Sequence, residues 1–168
     1  PESVRSWLLE MNATAPQFTP GTVQTVFHYP QPDGFPINVS PLICYEDIVT
    51  EPARLATQNG ATLLVNITND AWFGDTIAPA QHNVVASFRA LENRRYLLRA
   101  TNTGTTAIID PFGKMQGTIP HFATGVLEGE IAILSYLSVY TIFCGPWGPW
   151  SVLVVTLLSA LWGAVSQR

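Results

Sequence analysis

The sequence predicts an α/β domain followed by a helix that crosses a membrane, and three observations carry this prediction. Strand-like and helix-like segments alternate between residues 37 and 100, as they do in βαβ units built on parallel strands. A hairpin pattern follows at residues 105–119. The stretch at residues 146–165 is apolar and carries no charged side chain.

The first part of the domain is predicted as a hairpin that leads into a strand–helix–strand unit. The Pro-Gln-Pro-Asp-Gly turn signal at residues 30–34 joins a weak strand at 22–29 to a firmer one at 37–43. A helix follows at residues 50–58, and a continuous apolar run at 61–68 predicts a buried strand. These segments favour a parallel pair of strands with a helical crossover.

The later elements follow from the same patterns. Apolar residues recur at helical spacing after Ala80, and they predict a helix that ends near Arg95. The turn Asp-Pro-Phe-Gly at residues 110–113 separates two strands of a hairpin. The remaining predictions are a short helix at residues 4–11 and strands at 96–100, 105–109, 115–119 and 126–133.

The C-terminal part of the chain predicts a membrane span. Only 12% of the 168 residues are charged, and none of them lies between Glu130 and Arg168. Twenty helical residues at 146–165 would extend about 30 Å, the thickness of the hydrocarbon core of a bilayer. The tryptophans near both ends would lie at the interfaces, and Arg168 places the C-terminus in the cytoplasm. The alternative is a buried core helix.

These observations divide the chain into three parts. Residues 1–133 form the domain, residues 134–145 are a membrane-proximal connector, and residues 146–165 are the span. Because the sequence begins at Pro1 without a methionine, we expect a fragment of a longer protein.

The composition excludes several kinds of partner and cofactor. A net charge of −4 leaves no basic patch, so nucleic acid is not an expected partner. The two cysteines, Cys44 and Cys144, have no metal-ligand spacing to another cysteine or histidine, and neither a metal nor another cofactor is expected. Whether these two cysteines form a disulfide stays open.

Cys44 is the leading candidate for a catalytic nucleophile. It ends the apolar run at residues 37–43 and is followed by Tyr45 and Glu46. A second polar cluster, which includes Asn69, ends the strand predicted at 61–68. Two strand ends with polar side chains predict one active-site rim. The alternative is that Cys44 is a small buried apolar residue.

Few residues of the chain could activate a thiol. His82, in the first turn of the long helix, is a candidate partner in a Cys44–His82 dyad, although a structural histidine is the alternative. The only lysine, Lys114, follows a hairpin turn and is expected in solvent. Arg89, Glu92 and Arg94 are expected in an ion network.

Several strings resemble the nitrilase, or carbon–nitrogen hydrolase, superfamily. They occur in the family's order over residues 39–168. Two features narrow the resemblance to the C-terminal part of the apolipoprotein N-acyltransferase family: the Asn-Asp-Ala-Trp-Phe-Gly string at 69–74 and the predicted span. The strings are Leu42-Ile43-Cys44-Tyr45-Glu46, Asn69-Asp70-Ala71-Trp72-Phe73-Gly74, Gln81-His82, Arg89-Ala90-Leu91-Glu92-Asn93, Arg99-Ala100-Thr101-Asn102-Thr103-Gly104 and Asp110-Pro111-Phe112-Gly113.

The resemblance implies an αββα sandwich with a Glu-Lys-Cys triad, in which Cys44 is the cysteine. No glutamate or lysine before Cys44 matches the triad, so we expect this chain to be inactive by itself. The residues expected to support the nucleophile or to line the substrate pocket are Tyr45, Glu46, Asn69, Asp70, Trp72 and His82.

The resemblance further implies the reaction and its place. A fatty acyl chain would pass from a phospholipid, through a thioester on Cys44, to the N-terminal amine of a diacylglyceryl-cysteine lipoprotein. The enzyme would lie in the bacterial inner membrane, with its catalytic domain on the periplasmic or outer side. Two alternatives are a soluble-type amidase of the same superfamily and a non-catalytic, membrane-anchored interaction domain.

Overall fold

The computed structural model describes residues 21–32, 34, 36–145 and 148–166, and the last of these ranges lacks several side chains. The short helix predicted at residues 4–11 lies outside the described residues. The strands are β1 (Phe27–Tyr29), β2 (Ile37–Ile43), β3 (Leu63–Thr68), β4 (Tyr96–Thr101), β5 (Thr106–Ile109) and β6 (Met115–Ile119). The helices are α1 (Thr50–Gln58), α2 (Ala78–Asn93), α3 (Val139–Phe143) and α4 (Gly148–Ser166), and two 3-10 turns occupy Cys44–Asp47 and Asp70–Phe73.

One six-stranded mixed sheet organises the domain, and its strands lie in the order β1-β2-β3-β4-β5-β6. The central strands β2, β3 and β4 are parallel, with helices α1 and α2 as their crossovers. Strands β1, β5 and β6 pair in antiparallel fashion at the two sides. The predicted α/β class and the predicted strand–helix–strand unit are therefore confirmed.

Helices α1 and α2 cover one face of the sheet, and the main core lies beneath them. Leu42, Leu64 and Leu97 point into this core from the three parallel strands, and each is fully buried. The helices meet them with alanines, whose small side chains allow close packing. Burying each leucine stabilises the fold by roughly 1.5–3 kcal/mol.

The opposite face of the sheet is only partly covered. Leu127 and Ile131 pack on it, against a cluster that includes Ile108. The predicted strand at residues 126–133 is wrong, because this segment forms no regular strand. Its alternating apolar residues lie across the sheet face instead of pairing with a strand edge, and face packing produces the same pattern as a half-buried strand.

The connector at residues 134–145 contains α3, which the sequence did not predict. Ser138 caps this helix by accepting a hydrogen bond from the Thr141 N–H at 2.9 Å. The Thr141 carbonyl accepts from Gln58 Nε2 at 2.9 Å, and the Thr141 hydroxyl donates to Asn93 Oδ1 at 3.0 Å. These contacts attach α3 to the ends of α1 and α2.

The predicted ion network is correct for two of its three members. Arg89 binds both carboxylate oxygens of Glu92, at 2.8 and 2.7 Å, and also donates to the Ile48 carbonyl. Burial raises the pKa of Glu92, and the bond from Arg89 opposes that shift. Arg94 is not a member, since its guanidinium lies over the Phe112 ring at 5.2 Å.

The predicted membrane span overlaps α4, and residues 146 and 147 lie outside the described residues. Among the described residues, no helix is both long and apolar enough to span a bilayer. The span is therefore not confirmed. On α4 the described apolar side chains are exposed, among them Trp150, Val155 and Leu158.

Candidate active site at the carboxyl edge of the sheet

Cys44 begins a 3-10 turn directly after β2, at the carboxyl edge of the parallel strands. Its φ is +52°, a left-handed conformation that L-residues rarely adopt outside turns and functional sites. The thiol is half-buried, and both Cys44 and Cys144 are free, so the disulfide left open by the sequence is not formed. The strand end therefore presents a free thiol on a strained backbone.

Hydrogen bonds from two side chains hold this turn. Glu46 reaches back and accepts the Ile43 N–H at 2.7 Å. Asn66, on the neighbouring strand β3, donates from Nδ2 to the carbonyls of Leu42 and Cys44, both at 3.0 Å. Backbone groups on both sides of the nucleophile are therefore fixed.

Beneath the turn lies a closed ring of four buried charged side chains: Asp47, His82, Asp70 and Arg99. His82 Nε2 lies 2.7 Å from Asp47 Oδ1, and His82 Nδ1 lies 2.9 Å from Asp70 Oδ1. Arg99 closes the ring by donating from Nε to Asp47 Oδ2 at 3.1 Å and from Nη2 to Asp70 Oδ2 at 3.2 Å. All four are at most 5% exposed.

Opposite charges are paired in this ring. Each ring nitrogen of His82 faces a carboxylate oxygen, and the Arg99 guanidinium donates to both carboxylates. Mutual pairing and hydrogen bonding are what make buried charges tolerable in a protein interior.

The chain topology explains why these groups meet. Asp47 and Asp70 follow β2 and β3, and the carboxyl ends of parallel strands share one edge of the sheet. Asn66 and Arg99 are cross-strand neighbours in the register of β3 and β4. His82 enters from the first turns of α2, where it faces the same edge.

Sequence reasoning missed Asp47, Asn66 and Arg99 as site residues. A signal was present, because Asn66 and Arg99 stand at core-facing positions where the strand alternation calls for an apolar side chain. A polar residue at such a position needs a buried partner. Asp47 carried no comparable signal, since it lies in a turn.

The predicted Cys44–His82 dyad is not formed. Both nitrogens of the imidazole are engaged by Asp47 and Asp70, so His82 has no free nitrogen for the thiol. Instead the Tyr45 ring stacks on the imidazole, with the ring centroids 5.1 Å apart and the planes 23° apart. His82 therefore supports the residue next to the nucleophile.

The Asp70 turn holds the other predicted pocket residues. Asn69 caps it by accepting the Ala71 N–H at 3.0 Å, and it also accepts from Asn102 Nδ2 at 2.7 Å. Asp70 faces inward to the ring, whereas Trp72 is 86% exposed. The structure places these residues at the same edge as Cys44, and their part in a substrate pocket stays a prediction.

The remaining candidate groups lie apart from the ring. Lys114 is exposed after the hairpin turn, as expected. His28 contacts Asn38 at 2.9 Å, and His121 lies 3.4 Å from Asp75 on the surface.

Gly104 sits against the ring, and we predict that Gly104→Ala destabilises it. A Cβ built at this position would overlap Asp70 Oδ2, so the carboxylate would have to leave its bond to Arg99. We expect the free energy of unfolding to fall by about 1–3 kcal/mol in urea titrations. Gly125→Ala is a control for the glycine change, since its φ is not left-handed and the nearest atom to its Cβ position is Ile119 Cδ1 at 3.4 Å, an ordinary van der Waals contact. An equal loss in both variants would contradict the prediction.

Comparison with known proteins gives one family. The family model described as "Carbon-nitrogen hydrolase" matches residues 8–136. That range contains the Cys44 turn and all four members of the buried ring.

Several curated relatives carry the name apolipoprotein N-acyltransferase. One from Pseudomonas syringae pv. tomato is 42% identical over 132 residues, covering 78% of this chain and 25% of the relative. One from Geobacter metallireducens is 51% identical over 92 residues, covering 55% of this chain and 18% of the relative. The chain therefore spans about a quarter or less of the length of these relatives.

Solved structures with a similar backbone include an amidase from Nesterenkonia sp. AN1 that carries an acetamide moiety on its active-site cysteine. The identity is 25% and the TM-score is 0.49, over 62% of this chain and 40% of the amidase.

Proposed function

Because this chain belongs to the carbon–nitrogen hydrolase family, we propose that it is the nucleophile-bearing part of an enzyme that transfers acyl groups through a thioester on Cys44. The observation that carries the proposal is the free Cys44 thiol, held at a left-handed φ by hydrogen bonds on both sides. Strained, well-supported backbone of this kind clusters at active sites.

The names of the relatives support a particular acceptor. Since they are named apolipoprotein N-acyltransferases, we take the acceptor to be the N-terminal amine of a lipoprotein with a diacylglyceryl-modified cysteine. We take the donor to be a phospholipid, because its acyl ester lies in the same bilayer as such a lipoprotein.

The first step forms the thioester. A general base removes the proton from the Cys44 thiol, and Sγ attacks the carbonyl carbon of the acyl ester. The oxygen of the tetrahedral intermediate is held by the backbone N–H of Tyr45 and by a lysine. When the C–O bond breaks, the lysophospholipid leaves with the proton.

The second step regenerates the thiol. The amine of the lipoprotein attacks the thioester carbonyl, an amide bond forms, and the C–S bond breaks. The thiolate then recovers a proton from the attacking amine through the same base. A covalent intermediate between two substrates predicts ping-pong kinetics.

The glutamate base and the lysine of the family's triad would come from sequence outside this chain. Lys114 is the only lysine here, and it lies on a surface hairpin. The exposed Ile43 and Ile67, on the open face of the sheet, offer an apolar surface for a second sheet of the αββα sandwich. The relatives, being about three times as long as this chain, have room for these parts.

Membrane association fits the same function. Three consecutive apolar side chains of α4 are exposed: Leu153, Val154 and Val155. Consecutive residues of a helix point in different directions, so apolar side chains lie on several faces of α4. A helix that is apolar all round needs a core or a lipid environment. We propose that residues 146–165 contact the inner membrane, with the domain on its periplasmic side.

Intact-protein mass spectrometry tests the proposal. The protein from the complete gene is incubated with phospholipid in detergent, beside its Cys44→Ser variant. We expect an added fatty-acyl mass that hydroxylamine removes, that Cys44→Ser lacks and that Cys144→Ser retains. We expect no adduct on the isolated chain.

A folded full-length protein without the adduct would overturn the acyl-transfer proposal. Turnover of small amides by that same protein would favour the amidase alternative. The absence of both activities would favour a membrane-anchored interaction domain.

A further inference from the structure

The peptide unit between Cys44 and Tyr45 links a buried contact to the proposed oxyanion donor. None of the described residues has a cis peptide bond, so the Cys44 C=O and the Tyr45 N–H point in opposite directions. Asn66 Nδ2 holds the Cys44 carbonyl from inside the sheet at 3.0 Å. The Tyr45 N–H is thereby directed away from Asn66, at the opposite edge of the same planar peptide unit.

We propose that Asn66 is a positioning residue for oxyanion stabilisation, because it orients the Tyr45 N–H by holding the carbonyl at the other end of the same peptide plane. This inference rests on the proposed function of Cys44. Asn66 touches neither substrate nor thiol in this role. It acts only through the backbone of the Cys44 turn.

The hydrogen-bonding of Asn66 indicates why an amide stands there. Nδ2 donates to the carbonyls of Leu42 and Cys44, while Oδ1 is buried and has no partner among the described residues. An unpaired buried oxygen destabilises a fold, and the two bonds from Nδ2 offset that cost. A need for two N–H donors behind the turn accounts for an amide at this position.

A second constraint agrees with this role. Glu46 accepts the Ile43 N–H at 2.7 Å and Asn66 donates to the Leu42 carbonyl at 3.0 Å, so the peptide unit between Leu42 and Ile43 is held at both ends. Asn66 is fully buried and Glu46 is exposed, so the turn is hydrogen-bonded from the core side and from the solvent side. Cys44 takes its left-handed φ within the turn that these two side chains hold.

Two reagents separate oxyanion stabilisation from simple access to the thiol. p-Nitrophenyl butyrate acylates Sγ through a tetrahedral oxyanion and releases p-nitrophenolate. Iodoacetamide alkylates Sγ by displacing iodide, and no oxyanion forms. Both rates are measured on the Cys44 peptide of the full-length protein, at an alkaline pH where thiols ionise without a general base.

For Asn66→Leu we expect the ratio of acylation rate to alkylation rate to fall at least about tenfold, since losing one oxyanion donor typically costs 10²–10³ in rate. Asn66→Ser keeps one O–H donor and fills the site less tightly, and its ratio should fall in the same direction. If the leucine variant does not fold, the ratio measured for Asn66→Ser tests the inference. Asn83→Leu is the matched control, because Asn83 is also buried with an unpaired Oδ1, and its ratio should stay unchanged.

An unchanged ratio in the Asn66 variants would overturn the inference. Equal losses in both rates would also overturn it, because they would mean that the thiol itself is displaced. The failure of the proposed function is a separate result: the wild-type protein would then take no acyl group from phospholipid, whatever its ratio with the two small reagents.

Discussion

Replacing Arg99 by methionine lowers the free energy of unfolding by about 3–5 kcal/mol, because it leaves buried carboxylates without a balancing charge. Arg99 is 1% exposed and donates to Asp47 and Asp70 at 3.1 and 3.2 Å. Without it, His82 alone faces two negative groups. Equilibrium unfolding in urea, followed by circular dichroism, measures the loss.

The double variant Arg99→Met/Asp70→Asn separates charge balance from packing. It removes one negative charge along with the positive one, while the side chain at position 70 keeps its shape. We expect it to be more stable than Arg99→Met by about 1 kcal/mol or more. If the double variant is no more stable than the single one, charge balance is not what Arg99 supplies.

Replacing Cys44 by glycine abolishes the acyl adduct entirely and yields a more stable protein than replacing it by alanine. A φ of +52° is strained for alanine and unstrained for glycine, a difference of about 1 kcal/mol. Thermal or urea unfolding of the two variants gives the difference, and mass spectrometry confirms the missing adduct.

Ala80 is a matched control position, because glycine there should lower the stability and not raise it relative to alanine. It lies on α2 and is exposed, so Ala80→Gly should destabilise the protein by about 1 kcal/mol. If glycine were less stable than alanine at both positions, the backbone at Cys44 would not be under the strain that its φ implies.

The fold was largely predictable from the sequence because most of its periodic patterns fit only one kind of element. The helix at Thr50–Gln58 and the strand at Met115–Ile119 agree with the prediction at both ends. The segment at 126–133 failed because packing across a sheet face produces the same alternation as pairing in a strand. The short helix Val139–Phe143 depends on contacts with two distant helices, which local propensity does not contain.

The candidate site was predicted less completely. Cys44 and the polar strand ends were visible as breaks in apolar runs, and the structure brings them to one edge. The sequence left His82 with two roles, a partner of the thiol or a structural histidine, because a histidine near a cysteine in a predicted rim fits both. Only the geometry reveals that Asp47 and Asp70 occupy both of its nitrogens.

The order of the strands has a consequence for how this protein matures during synthesis. Each strand lies beside the strands that precede and follow it in the chain, so pairing can proceed in step with emergence from the ribosome. The buried ring cannot close until Arg99 has emerged, 55 residues after Cys44. Cys44 is therefore synthesised well before the ring that supports its turn can form. A nascent chain arrested before β4 would carry the thiol without that ring.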